Sequence, residues 1–115
     1  MCYNLQEWRC IMFRARQELN PNYFLYYVVT DENGDQLATG GLNRSYTVVK
    51  ESGAYPYTDV VLRATVNRIM DGPFDIISAD RSFGFDLKPF GFTETKSGYT
   101  ANREDLRLPH CCDEK

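Results

Sequence analysis

Positive charge is scarce and scattered: 13 Lys and Arg stand against 16 Asp and Glu, a formal net charge of −3, and no basic run occurs. Phosphate backbones and anionic lipid surfaces need clustered cations, so neither nucleic acid nor a membrane is expected as a partner. The densest group, Arg9, Arg14 and Arg16, is interleaved with Glu7 and Glu18 and reads as a solvated helix face. No apolar run approaches the roughly 20 residues that cross a bilayer, and no basic-then-apolar leader pattern is seen. A cytoplasmic location is the expectation. Cysteine is sparse at four, so in that setting thiols are expected in place of a disulfide framework. Cys2 and Cys10 lie near one end and His110, Cys111 and Cys112 near the other. The knuckle spacing of structural zinc sites is absent, so no metal is expected. A Cys–His nucleophile needs a rigid site, and the tail reads as frayed. The sequence also lacks a phosphate-binding P-loop, a dinucleotide fingerprint and a nucleophilic serine elbow.

What remains is apolar and aromatic. Of 115 residues, 43% are hydrophobic and 14% aromatic, with 8 Tyr and 7 Phe. That supports one packed core and leaves no room for a second, so residues 1–115 read as one domain, with 1–3 and 109–115 as frayed ends. So many rings also favour a binding surface.

Residues 4–20 carry an apolar stripe of Leu5, Trp8, Met12, Ala15 and Leu19 at three- and four-residue steps, which predicts a helix ending at Asn20-Pro21-Asn22. Phe13 falls off the stripe and implies either burial on two sides or a partner contact. Residues 23–30, Tyr-Phe-Leu-Tyr-Tyr-Val-Val-Thr, form the strongest strand pattern, apolar on both faces and therefore central. Asn33-Gly34 predicts a hairpin to a strand over 36–42, with Gly40-Gly41 as a bulge or close backbone approach. A third strand is read over 45–49 and a loop over 50–57. A helix follows, capped by Thr58, with Leu62, Val66 and Ile69 inward and Gly72-Pro73 ending it. A short strand over 74–78, a helical turn, and a last hairpin over 91–95 and 99–108 complete the chain. The expected class is α+β: a mostly antiparallel sheet of about six strands flanked by two main helices.

That order, with Gly40-Gly41-Leu42 ending the third family strand and Phe90-Gly91-Phe92 before the last hairpin, resembles the GNAT family of N-acetyltransferases in a minimal form. The resemblance spans residues 4–108. It implies an acetyl-coenzyme A site in the loop after the fourth family strand, where a Gln/Arg-x-x-Gly-x-Gly/Ala pattern presents backbone N–H groups to the pyrophosphate. Here the segment is Lys50-Glu51-Ser52-Gly53-Ala54-Tyr55-Pro56-Tyr57-Thr58, without Gly-x-Gly and with Glu51 and Pro56 opposing an anion. The family's tyrosine acid lies five residues before the Phe of the Gly-Phe step, which in this chain is Leu87, a side chain with no proton to donate. Asp75 and Tyr99 are the remaining weak catalytic candidates; Asp75 and Asp80 also fit simple turn roles.

The scaffold is therefore expected without its chemistry: a regulatory or protein-binding module of the kind that inhibits or modulates a host enzyme, with another protein or a second copy of itself as partner. Tyr55, Tyr57, Phe83 and Phe85 are the expected contact residues, and no cofactor is favoured. The alternative is an acyl-coenzyme A-dependent N-acyltransferase using backbone groups of Ser52, Gly53, Ala54 and Tyr55.

Overall fold

The computed structural model describes residues 13–109. They build seven strands in one mixed sheet and a single α-helix: β1 (Phe13–Glu18), β2 (Tyr23–Asp31), β3 (Gln36–Asn43), β4 (Thr47–Gly53), α1 (Tyr57–Met70), β5 (Ile76–Ala79), β6 (Thr93–Glu94) and β7 (Tyr99–Asn102). The sheet order is β1-β2-β3-β4-β5-β7-β6. Every neighbouring pair is antiparallel except β4 and β5, which run parallel across the α1 crossover.

This overturns the expected architecture of about six mostly antiparallel strands between two main helices. The helix read over 4–20 fails where it is described: residues 13–18 pair with β2 in register from Phe13↔Asp31 to Glu18↔Tyr26. The reason is tertiary. A central strand such as β2 leaves a row of N–H and C=O groups on each side, and β1 satisfies the second row. Leu19, placed on the supposed apolar stripe, is fully exposed. Residues 4–12 lie outside the described residues, as do Cys2, Cys10, His110, Cys111 and Cys112. No helix among the described residues is long and apolar enough to cross a membrane.

Strand alternation sorts β2 and β3 into two faces. Leu25, Tyr27, Val29, Ala38 and Leu42 pack under α1 with Val60, Val61, Leu62, Val66 and Ile69. Tyr26, Val28 and Thr39 point to the opposite face. Gly40 permits the close fit of helix to sheet: a Cβ there would lie 2.4 Å from the Val49 carbonyl oxygen and 3.2 Å from Val61 Cγ1. The β2–β3 hairpin turns at Gly34, φ +86°, with Asp31 Oδ1 accepting from the N–H groups of Asn33 and Asp35.

Several boundaries differ from the sequence reading: the strands expected over 45–49, 74–78 and 91–95 run over 47–53, 76–79 and 93–94. β4 runs on through Gly53 where a loop was expected, because it pairs with β3 up to Ala38↔Gly53. Thr58 does not cap α1: Pro56 occupies the cap without a side-chain bond, and the buried Thr58 Oγ1 has no hydrogen-bond partner. β7 stops at Asn102, where a 3₁₀ turn over Arg103–Asp105 begins. Arg103 then donates to the Phe74 and Met70 carbonyls at 2.8 and 3.3 Å, closing the C-terminal end of α1.

Candidate functional site

β4 and β5 are in register at only two positions, Thr47↔Ser78 and Val48↔Ala79. Beyond them a side-chain bridge replaces strand pairing: the Lys50 N–H donates to Ser82 Oγ at 2.8 Å. Asp80 Oδ1 accepts from the Ser82 N–H at 3.0 Å and from the Ser82 hydroxyl. Asp80 is thus the anchor of a turn. The C-terminal ends of the two parallel strands part here, and the loops that follow them form the candidate site.

Aromatic rings join those loops. Tyr55, from the loop after β4, meets Phe85, from the loop after β5, edge to face at 5.8 Å between centroids. Phe85 in turn lies 6.0 Å from Phe83, which is buried in the core, while Tyr55 keeps 56% of its surface exposed. Three of the four expected contact residues are therefore brought together. Tyr57 is separate: it is the first residue of α1, half-buried and packed against the core. Tyr46 sits before the opposite end of β4, roughly 20 Å of strand away, against Phe24 and Phe74.

The positions expected to hold a cofactor are differently engaged. Ser52 and Gly53 belong to β4, opposite Thr39 and Ala38. The Ala54 carbonyl accepts from the N–H groups of Tyr57 and Thr58, and the Pro56 carbonyl accepts from that of Asp59. The first N–H groups of α1 are thus turned to the chain itself. Asp59 places a largely buried carboxylate in that first turn, paired with Arg63 at 2.9 Å, which satisfies the positive end of the helix dipole from within. Asp75 is exposed beside the N-terminal end of β5, away from the opening. Tyr99 is buried in β7, its ring against Phe92 and beneath the Arg81 guanidinium. Leu87 is fully buried core.

One constellation was not foreseen. In the β3–β4 ladder Thr39 pairs with Ser52 and Gly40 with Lys50, which leaves Glu51 as the unopposed residue of a bulge. The bulge re-aims Glu51 onto the face opposite α1. There Glu51 Oε1 accepts from the Tyr26 hydroxyl and from Thr39 Oγ1, the latter at 2.8 Å. Because the single Thr39 proton goes to Glu51, the Ser52 hydroxyl, 2.8 Å away, donates to Thr39. The Tyr23 ring lies 4.8 Å from that of Tyr26, tilted by 51°. Burial and the carboxylates of Glu51 and Asp80 raise the Tyr23 pKa above its ordinary value. Burial, followed by the bond to Glu51, does the same for Tyr26. The signal in sequence was slight: Glu51 reads as one more loop charge until the strand is known to continue and to bulge.

Comparison with protein-family models, with curated proteins and with solved structures found no match. Among the described residues no group of His, Cys, Asp or Glu is arranged to hold a metal ion.

Proposed function

We propose that the protein is a binding and regulatory module that engages another protein through the aromatic rim at the C-terminal ends of β4 and β5. The observation that carries this reading is the Tyr55–Phe85 contact. It ties two loops together and presents a large, partly exposed ring on a rigid base, the kind of residue that dominates protein interfaces at low entropic cost. The inward use of the Tyr57, Thr58 and Asp59 N–H groups supports the same reading, since it leaves fewer donors for an anion at the start of α1. Another protein, including an enzyme whose activity is modulated, is the partner class this surface suits.

A second reading, an acyl-coenzyme A-dependent N-acyltransferase, is favoured by one observation: the parallel pair β4–β5 parts after two residue pairs. A crevice at the C-terminal ends of parallel strands is a common ligand site. The resemblance to GNAT enzymes belongs to this reading.

One experiment separates them. Saturating acetyl-coenzyme A should leave the melting temperature unchanged, because a ligand that does not bind the native state cannot stabilise it. Immobilised protein should retain a specific partner that Tyr55→Ala loses at least ten-fold, about 1.4 kcal/mol. A rise of several degrees with acetyl-coenzyme A, together with a partner profile unchanged by Tyr55→Ala, refutes the module.

A further inference from the structure

Twice among the described residues a guanidinium of the chain itself lies over an aromatic ring and bonds a carboxylate. Arg81 stands 5.4 Å from the Tyr99 ring centroid while Nη1 bonds Glu94 at 2.8 Å. Arg63 stands 5.3 Å from the Phe90 ring while Nε bonds Asp59 at 2.9 Å. The pairing is physically apt: a guanidinium stacks on an aromatic face and forks onto a carboxylate, which an ammonium cannot do as well.

Among the described residues, the face opposite α1 holds the same constellation without a paired cation. Tyr23 and Tyr26 supply the rings and Glu51 the carboxylate. Oε1 is held by two hydroxyl donors, whereas Oε2 has no partner among the described residues, and no Lys or Arg among them pairs with Glu51. Arg16, on β1 three strands away, is committed to Glu18 at 2.7 Å. Beside Tyr23 the carboxylates of Glu51 and Asp80 add negative charge. The network is built: Thr39 is fully buried, and a bulge fixes the Glu51 backbone.

We infer that this cluster receives an arginine side chain of the partner protein, its guanidinium stacked on a tyrosine ring and bonded to Glu51 Oε2. The inference rests on the binding-module reading and deepens it, adding a charged anchor near the aromatic rim.

The probe is N-acetyl-arginine methylamide, titrated into the whole protein and followed by amide and tyrosine ring resonances, with N-acetyl-lysine methylamide in parallel. Saturable shifts centred on Tyr23, Tyr26, Thr39 and Glu51 are expected, several-fold tighter for arginine than for lysine. Glu51→Gln should weaken arginine binding at least ten-fold. Tyr26→Phe, which keeps the ring and drops the hydroxyl, is an independent check: it should retain stacking and weaken binding less than Glu51→Gln. Tyr55→Ala should leave the titration unchanged, so failure of the rim and failure of the Glu51 cluster are read separately. Absence of saturation, shifts that survive Glu51→Gln, or equal affinity for lysine would each overturn the inference.

Discussion

Gly40→Ala tests the packing on which both surfaces rest. A Cβ at this position would stand 2.4 Å from the Val49 carbonyl oxygen, 3.1 Å from Lys50 Cα and 3.2 Å from Val61 Cγ1, whereas ordinary contacts begin near 3.4 Å. Relief therefore requires β3 and β4 to separate by about 1 Å at the bulge. The first obstacle is backbone and cannot rotate away. Overpacking of this kind costs about 1–3 kcal/mol, and losing a glycine returns about 0.4–1 kcal/mol through the unfolded chain. A net loss of about 1–2 kcal/mol corresponds to a fall of roughly 4–16 °C in Tm for a domain of this size. Thermal and urea unfolding followed by circular dichroism would measure it. Val61→Ala in the same chain should not rescue the loss, since the Val49 carbonyl remains. Gly34→Ala is the control for backbone strain alone: φ is +86° and nothing lies within 4 Å, so about 1 kcal/mol is expected. A Gly40→Ala protein that melts within 2 °C of the parent would refute the close approach of β4 and α1 to β3.

Two further outcomes follow from single groups. Thr58→Val should be neutral or stabilising by about 1 kcal/mol, because it replaces a buried hydroxyl without a partner by a methyl of the same shape; a loss above about 1 kcal/mol in urea unfolding would show that the hydroxyl is bonded. Tyr23, Tyr26 and Tyr27 have pKa values raised above about 10, in each case mainly by burial. Their stabilising contribution is full below the unfolded tyrosine pKa and is lost as pH rises through the folded values, since the unfolded chain releases these protons first. Stability should therefore fall above about pH 10, and Tyr26→Phe should reduce that fall. Absorbance titration showing all tyrosines ionising together near the ordinary value would contradict the burial.

The partial legibility of the fold has particular causes. Asn33-Gly34 and the aromatic run of β2 are local signals, and the hairpin and central strand they specify are present. The apolar spacing of Leu62, Val66 and Ile69 likewise marks the inward face of α1. Residues 13–18 were misread because a stripe at helical spacing and a strand that completes a neighbour's hydrogen bonds look alike without the neighbour. Tyr55, Phe83 and Phe85 could be picked out as aromatic loop residues, but their contact depends on where β4 and β5 end.

By itself, then, the sequence determined an α+β domain with a central aromatic strand and an amphipathic helix over 57–70 against the sheet. These follow from periodicity, turn chemistry and composition, which act over a few residues. The tertiary structure alone decided that β1 is a strand, that β4 and β5 part after two pairs, and that a bulge turns Glu51 onto the face shared with Tyr23 and Tyr26. Each of these depends on hydrogen bonds between segments distant in the chain, whose register no local pattern encodes.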